Sequence, residues 1–168
     1  MLDTTVESSL QALNKRLNTL ATNRLERVRQ LCDAAEKGDG AAAAGVARLL
    51  AAGADPNTLV PGPTASGAKG WASALCAVAR FGRLEAVRLL LEGGARPDVP
   101  DSDGSTPLAH AVWHGQLEAA RLLLKGGADP NLAASDGNTP LTHAVTMYGQ
   151  LEVMRREKQI RGSGGSLE

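Results

Sequence analysis

Aromatic side chains are scarce: two Trp, one Phe and one Tyr stand among 168 residues. The 43% hydrophobic content must therefore be met by aliphatic residues and alanine, which suits a core of closely stacked helices. An excess of one charge is missing too. Eighteen Lys and Arg balance eighteen Asp and Glu, so the basic surplus of a nucleic-acid binder is absent, and no DNA or RNA partner is expected. No stretch approaches the roughly 18 uncharged apolar residues of a membrane span, and the N-terminus has no apolar run with a cleavage site. These absences predict a cytoplasmic protein without membrane insertion, a pattern that an exported effector would share. Catalytic signatures are lacking as well: there is no G-x-S-x-G, no G-x-x-x-x-G-K-[ST] and no H-E-x-x-H. The expectation is a non-enzyme with no cofactor and no metal.

What the chain does have is an echo at 33 residues. Thr106-Pro107-Leu108 returns as Thr139-Pro140-Leu141, and Gly94-Ala95 returns as Gly127-Ala128. Each copy opens on turn chemistry, Asp103-Gly104 or Asp136-Gly137, because Gly accepts positive φ. Thr106 then caps a helix that Pro107 starts without losing a needed N–H. The first helix ends at Gly82, Gly115 or Gly149. A second follows with apolar residues at helical spacing, Leu84, Val87, Leu90 and Leu91, then Leu117, Ala120, Leu123 and Leu124. Paired glycines, Gly93-Gly94 and Gly126-Gly127, close it. Neither helix can bury its apolar face without a neighbouring unit, so the copies must stack.

Laid in register, these landmarks resemble ankyrin repeats across about residues 25 to 155. The resemblance implies an all-α solenoid of helix-loop-helix units with turn fingers, preceded by an N-terminal amphipathic helix. The expected copies are 25–57, 69–100, 101–133 and 134–161, the last truncated or capping, with an insertion at 58–68. The first copy carries three extra residues, read as lying between its two helices. It also implies protein binding through a concave surface of turn tips and first helices.

The period also works as a ruler. Cys32 and Cys76 follow Leu31 and Leu75, equivalent positions roughly 10 Å apart in stacked helices, so two reduced structural thiols are expected. His110 and His143 are one site used twice rather than a catalytic pair, each read as bonded to neighbouring backbone. They stand one residue later than in the family's TPLH, so the family's bonding of that residue is not carried over. Asp101, Asp103 and Asp136 fall on turns, where capping and solvation account for them.

Three of the four aromatics share one register row, just before the glycine that ends the first helix: Arg80-Phe81, Trp113-His114 and Met147-Tyr148, with Glu36-Lys37 in the first copy. The fourth, Trp71, falls at a turn tip, where later copies have Gly104 and Gly137. Rings in a row make a candidate partner site, and the turn residues Ser102, Asp103, Ser105, Ser135, Asp136 and Asn138 flank it.

The segment "TLVPGPTASGAKG" (58–70) makes the first copy-to-copy spacing longer than 33, and its Pro and Gly content predicts a finger or loop without regular structure. Leu2, Val6, Leu10, Leu13, Leu17 and Leu20 draw one apolar stripe along residues 1–24, fit either to cap the first repeat or to dock a partner or a second copy. At the far end, Arg156, Glu157 and Lys158 replace the apolar row, and 162–168 read as linker or cloning residues. The function expected is an adaptor, inhibitor or regulatory subunit that binds a partner protein. A self-associating structural or engineered scaffold, or the targeting domain of a larger enzyme, are the alternatives.

Overall fold

The computed structural model describes residues 4–63 and 69–146; Met147, Tyr148, the rest of the fourth copy and the tail lie outside the described residues. The elements in order are α1 (Thr4–Lys37), α2 (Asp39–Ala51), β1 (Val60–Pro63), β2 (Lys69–Ala72), α3 (Ala74–Arg80), α4 (Leu84–Glu92), α5 (Pro107–Trp113) and α6 (Leu117–Lys125). Residues 140–146 are again helical.

Caps written into the sequence start the short first helices. The Ser73 hydroxyl accepts the Cys76 N–H at 3.2 Å, Thr106 accepts from Ala109 at 3.2 Å, and Thr139 accepts from Thr142 at 3.2 Å. Ser73 thus supplies the cap in the copy that lacks the Thr-Pro pair, since either hydroxyl satisfies an orphan amide. Glycine ends them: Gly82 sits at φ +63, and a Cβ there would strike the Gln116 side chain. A β-carbon there is strained by the backbone and would also require the Gln116 side chain of the next repeat to move aside.

The helices stack in two layers. One layer contains the C-terminal part of α1, then α3 and α5; the other contains α2, α4 and α6. Leu31, Leu75 and Leu108 fill one side of the core and Leu49, Leu90 and Leu123 the other, interleaved with Ala35, Ala79, Ala86, Ala111 and Ala119. Among the described residues none of the buried hydrophobic ones is aromatic. The alanines leave room for the leucines of facing helices, so small and large side chains alternate in the core. Polar bonds tie successive loops: Asn57 Oδ1 accepts the Arg96 N–H at 2.7 Å, and Asp98 Oδ1 accepts the Asp129 N–H at 3.0 Å. Asn57 and Asp98 occupy the same place in their copies.

Three departures from the sequence-based expectation concern the first copy. First, α1 runs without a break through residue 24. Its described residues 7–19 are exposed, with Leu10, Leu13 and Leu17 more than half accessible, whereas Val28, Leu31 and Ala35 are buried. Second, the surplus residues lengthen α2, which has 13 residues against 9 in α4 and α6, and a single Gly38 at φ 143 joins it to α1.

The third is the segment 58–70, whose described residues 60–63 and 69–70 are strand. β1 and β2 form an antiparallel hairpin in the register Val60 with Ala72, Pro61 with Trp71, Gly62 with Gly70 and Pro63 with Lys69. Two strands alone have only edges, and there proline's missing N–H costs no ladder bond. Val60 and Ala72, both buried, anchor the hairpin to the stack.

Candidate functional site

Two pairs of the register row, Arg80-Phe81 and Trp113-His114, fall among the described residues, at the ends of the neighbouring helices α3 and α5; Met147-Tyr148 lies outside them. Phe81 follows α3, half-buried, with the Arg80 and Arg83 guanidinium carbons 5.8 and 5.9 Å from its ring centroid, a cation–π arrangement. One repeat on, Trp113 ends α5 with 36% of its surface exposed, and its ring stacks on His143 at 3.9 Å between centroids. His114 follows Trp113 as the residue that ends α5, near Arg80. Burial first, and then the nearby Arg80 charge, push its imidazole below the ordinary range, so it is held neutral, and its Nε2 has no hydrogen-bond partner.

Arg83 was not singled out by the sequence. Its guanidinium donates to the Ala35 carbonyl at 2.5 Å and the Glu36 carbonyl at 3.2 Å, closing the last turn of α1 while lying on Phe81. Lys or Arg near a helix C-terminus is an ordinary signal, but this one comes from 47 residues downstream.

The finger residues divide. Trp71, expected at a turn tip, is in β2 and half exposed; its N–H donates to Ser102 Oγ at 3.1 Å and its carbonyl accepts the Ser102 N–H at 2.9 Å. The insertion makes that copy's finger a strand pair, which carries Trp71 beside the next finger. In the same manner Asp103 accepts the Ser135 N–H on its carbonyl at 3.0 Å. Ser102, Ser135, Asp136 and Asn138 are exposed, and Asp103 is partly so. Asp136 accepts both the backbone and side-chain N–H of Asn138 at 2.9 Å, which lowers its carboxyl from the usual range.

Ser105 does not belong with them. It is 5% exposed, its carbonyl accepts the Asp101 N–H and its own N–H donates to Asp101 Oδ1 at 2.9 Å, so it closes the turn from within.

Asp101 and His110 need the larger correction. Asp101 is neither solvated nor merely a turn residue, and His110 does not bond to backbone. The Asp101 side chain is fully buried; Oδ1 accepts the Asp103 and Ser105 N–H groups at 2.9 Å each, while Oδ2 meets His110 Nε2 at 2.9 Å. Burial works against charge on the imidazole, but the Asp101 bond, with the neighbouring Cys76, outweighs it and raises the pKa to about 9. His110 is therefore a cation at neutral pH that locks a finger to a helix. Its register partner His143 has Ala134 where His110 has Asp101, and it stacks on Trp113 instead.

Both cysteines are free thiols. Cys76 is buried, accepting from Ser73 Oγ at 3.4 Å and donating to the Val99 carbonyl at 3.7 Å. Burial pushes the Cys32 thiol up to about 12. Among the described residues no helix is long and apolar enough to cross a membrane.

No curated protein matches the chain. The sequence model of the family described as Ankyrin repeats (3 copies) matches residues 31–134, more than half of it. Ankyrin repeats are in general protein–protein interaction modules. With its capped helix pairs stacked in two layers and its fingers linked edge to edge, the chain belongs to the ankyrin-repeat family.

Proposed function

We propose that the protein binds a partner protein, as an adaptor, inhibitor or regulatory subunit acting in the cytoplasm and without chemistry of its own. The partner meets a surface centred on Arg80, Phe81, Trp113 and His114 and flanked by the fingers that carry Trp71, Ser102, Asp103, Ser135, Asp136 and Asn138. One observation carries this reading: among the described residues the buried core contains no aromatic side chain, yet Trp71 and Trp113 stay 50% and 36% exposed. Large rings that packing does not need, set on neighbouring repeats, have the character of interface anchors. Capture from lysate with the wild-type chain beside Trp113→Ala and Phe81→Ala tests it. Proteins bound by the wild type alone support the surface, and Trp113→Ala is expected to cost about 2 kcal/mol or more against such a partner by calorimetry. Equal capture by folded variants sinks it.

A second reading is favoured by Leu10, Leu13 and Leu17, exposed at 56%, 54% and 53% along one stripe of α1. Leucines at steps of three and four on an uncovered helix suit pairing with a second copy. Light scattering of the wild type beside a Leu10→Gln, Leu13→Gln, Leu17→Gln variant decides it: a dimer lost in the variant supports self-association, and a monomeric wild type ends it.

A further inference from the structure

The exposed leucines of α1 repeat, further up the same helix, the stripe that builds the core. Leu10, Leu13 and Leu17 stand 18 residues before Val28, Leu31 and Ala35 respectively. Eighteen residues are about five whole turns, so the two sets share one face of one unbroken helix. Their surroundings differ. Val28, Leu31 and Ala35 are buried in the core that α1 shares with α2, where a β-carbon on Gly45 would stand 3.0 Å from Leu31 Cδ1. The described residues 7–19 are exposed throughout. The face that α2 covers below thus continues bare above.

What α2 fills limits how a second α1 can lie there. Paired parallel and in register, the copy's helix would run on down the face that α2 already occupies, so that arrangement is closed. Running antiparallel, it meets no such obstacle. With Leu10 opposite Leu17 of the copy and Leu13 beside the twofold axis, Thr4 of the copy stands level with Asn23, more than one turn short of Val28. The bare stretch therefore accommodates its own reverse. The flanks agree: in this register Arg16 faces Ser9 of the copy and Asn14 faces its own equivalent, so these described flanking residues oppose no like charges.

We propose that α1 pairs antiparallel with α1 of a second copy of this chain, Leu10 against Leu17 and Leu13 at the centre. The proposal rests on the self-association reading above and adds its orientation and register. The occupant is a second copy because it brings the same leucine stripe, which reads alike in both directions, at the length the bare face offers. The pair sets two repeat stacks at opposite ends of the joined helices, with the two Leu31 positions about 50 Å apart at 1.5 Å per residue. Two partner surfaces held at such a spacing suit a partner that is itself multivalent.

The test uses Leu10→Cys and Leu17→Cys in the full chain, mildly oxidised alone and as an equal mixture and read on non-reducing gels. The wild type beside them controls for Cys32 and Cys76, and light scattering follows the mass of each unoxidised sample. Both leucines are exposed in the single chain, so the substitutions leave the repeat core untouched. The mixture should give a band of twice the chain mass and neither variant alone should exceed the wild type, because only the antiparallel register brings residue 10 within about 7 Å of residue 17 of the copy, as a disulfide requires. A cross-link in either variant alone would mean a parallel pair; it would overturn the orientation and leave self-association standing. A wild-type dimer by light scattering with no cross-link in the mixture would likewise overturn the register alone. A monomeric wild type with no cross-link in any sample would remove both.

Discussion

The third repeat and the opening of the fourth use the same letters for different purposes. Both carry Thr-Pro-Leu, a histidine two residues later and an Asp-Gly turn, yet His110 is buried against Asp101 while His143 is partly exposed and stacked on Trp113. The difference traces to one upstream position, Asp101 against Ala134. Where the carboxylate is present, the histidine becomes a charged strut that holds finger to helix. Where it is absent, the ring is left to the surface and joins the aromatic row. The ruler places a residue, and its partner then assigns the role.

The comparison is broken most directly by Asp101→Ala, which turns the third repeat into the fourth. It removes the acceptor of two backbone N–H groups and strands His110, so urea unfolding should register a loss of about 3–5 kcal/mol, the range for one half of a buried pair. An unchanged midpoint would mean that the pair holds nothing.

Next comes pH. His110 has its folded pKa raised to about 9 from an ordinary 6.5. Its contribution is therefore fully present below about pH 6.5 and is lost as pH rises from there through 9. The decline reaches up to about 1.4 kcal/mol per pH unit. Denaturation at pH 6, 7.5 and 9 should show it in the wild type and not in Asp101→Ala; a flat wild-type profile would contradict the charged state.

A smaller effect belongs to the cap. Thr106→Ala should cost about 1 kcal/mol, since Thr106 is buried and its hydroxyl is the acceptor for Ala109. Smallest is His143→Ala, which loses only a stacked contact with Trp113 and should destabilise by about 0.5–1 kcal/mol. If His143→Ala proved as damaging as Asp101→Ala, the two repeats would not differ as described.

Much of the fold was legible because its signals are local. The cap at Thr106, echoed at Thr139, and the turn at Gly82 each act within four residues of themselves, and the period multiplies them. The row of Arg80, Phe81, Trp113 and His114 was legible for the same reason, since register on stacked helices is register in space. Asp101 was misread because an Asp beside a turn is ordinary, and nothing in its neighbourhood announces a histidine nine residues on. Arg83 was missed because the carbonyls it closes, at Ala35 and Glu36, are far away in the chain. The hairpin was missed because Pro61 and Pro63 argue against strands, an argument that fails when both strands are edges and buried Val60 holds the pair.

By itself the sequence determined the helix pairs, their caps, their period and hence which residues share a row, because these follow from hydrogen bonds and apolar spacing within a turn or one repeat. Only the tertiary structure decided that His110 is paired with Asp101 and His143 is not so paired, and that Ser105 is inside the finger and Ser102 outside it. Those outcomes depend on approaches of 3 to 4 Å between segments distant along the chain. Burial there strengthens a satisfied polar bond and penalises an unsatisfied one, a balance that period and propensity do not carry.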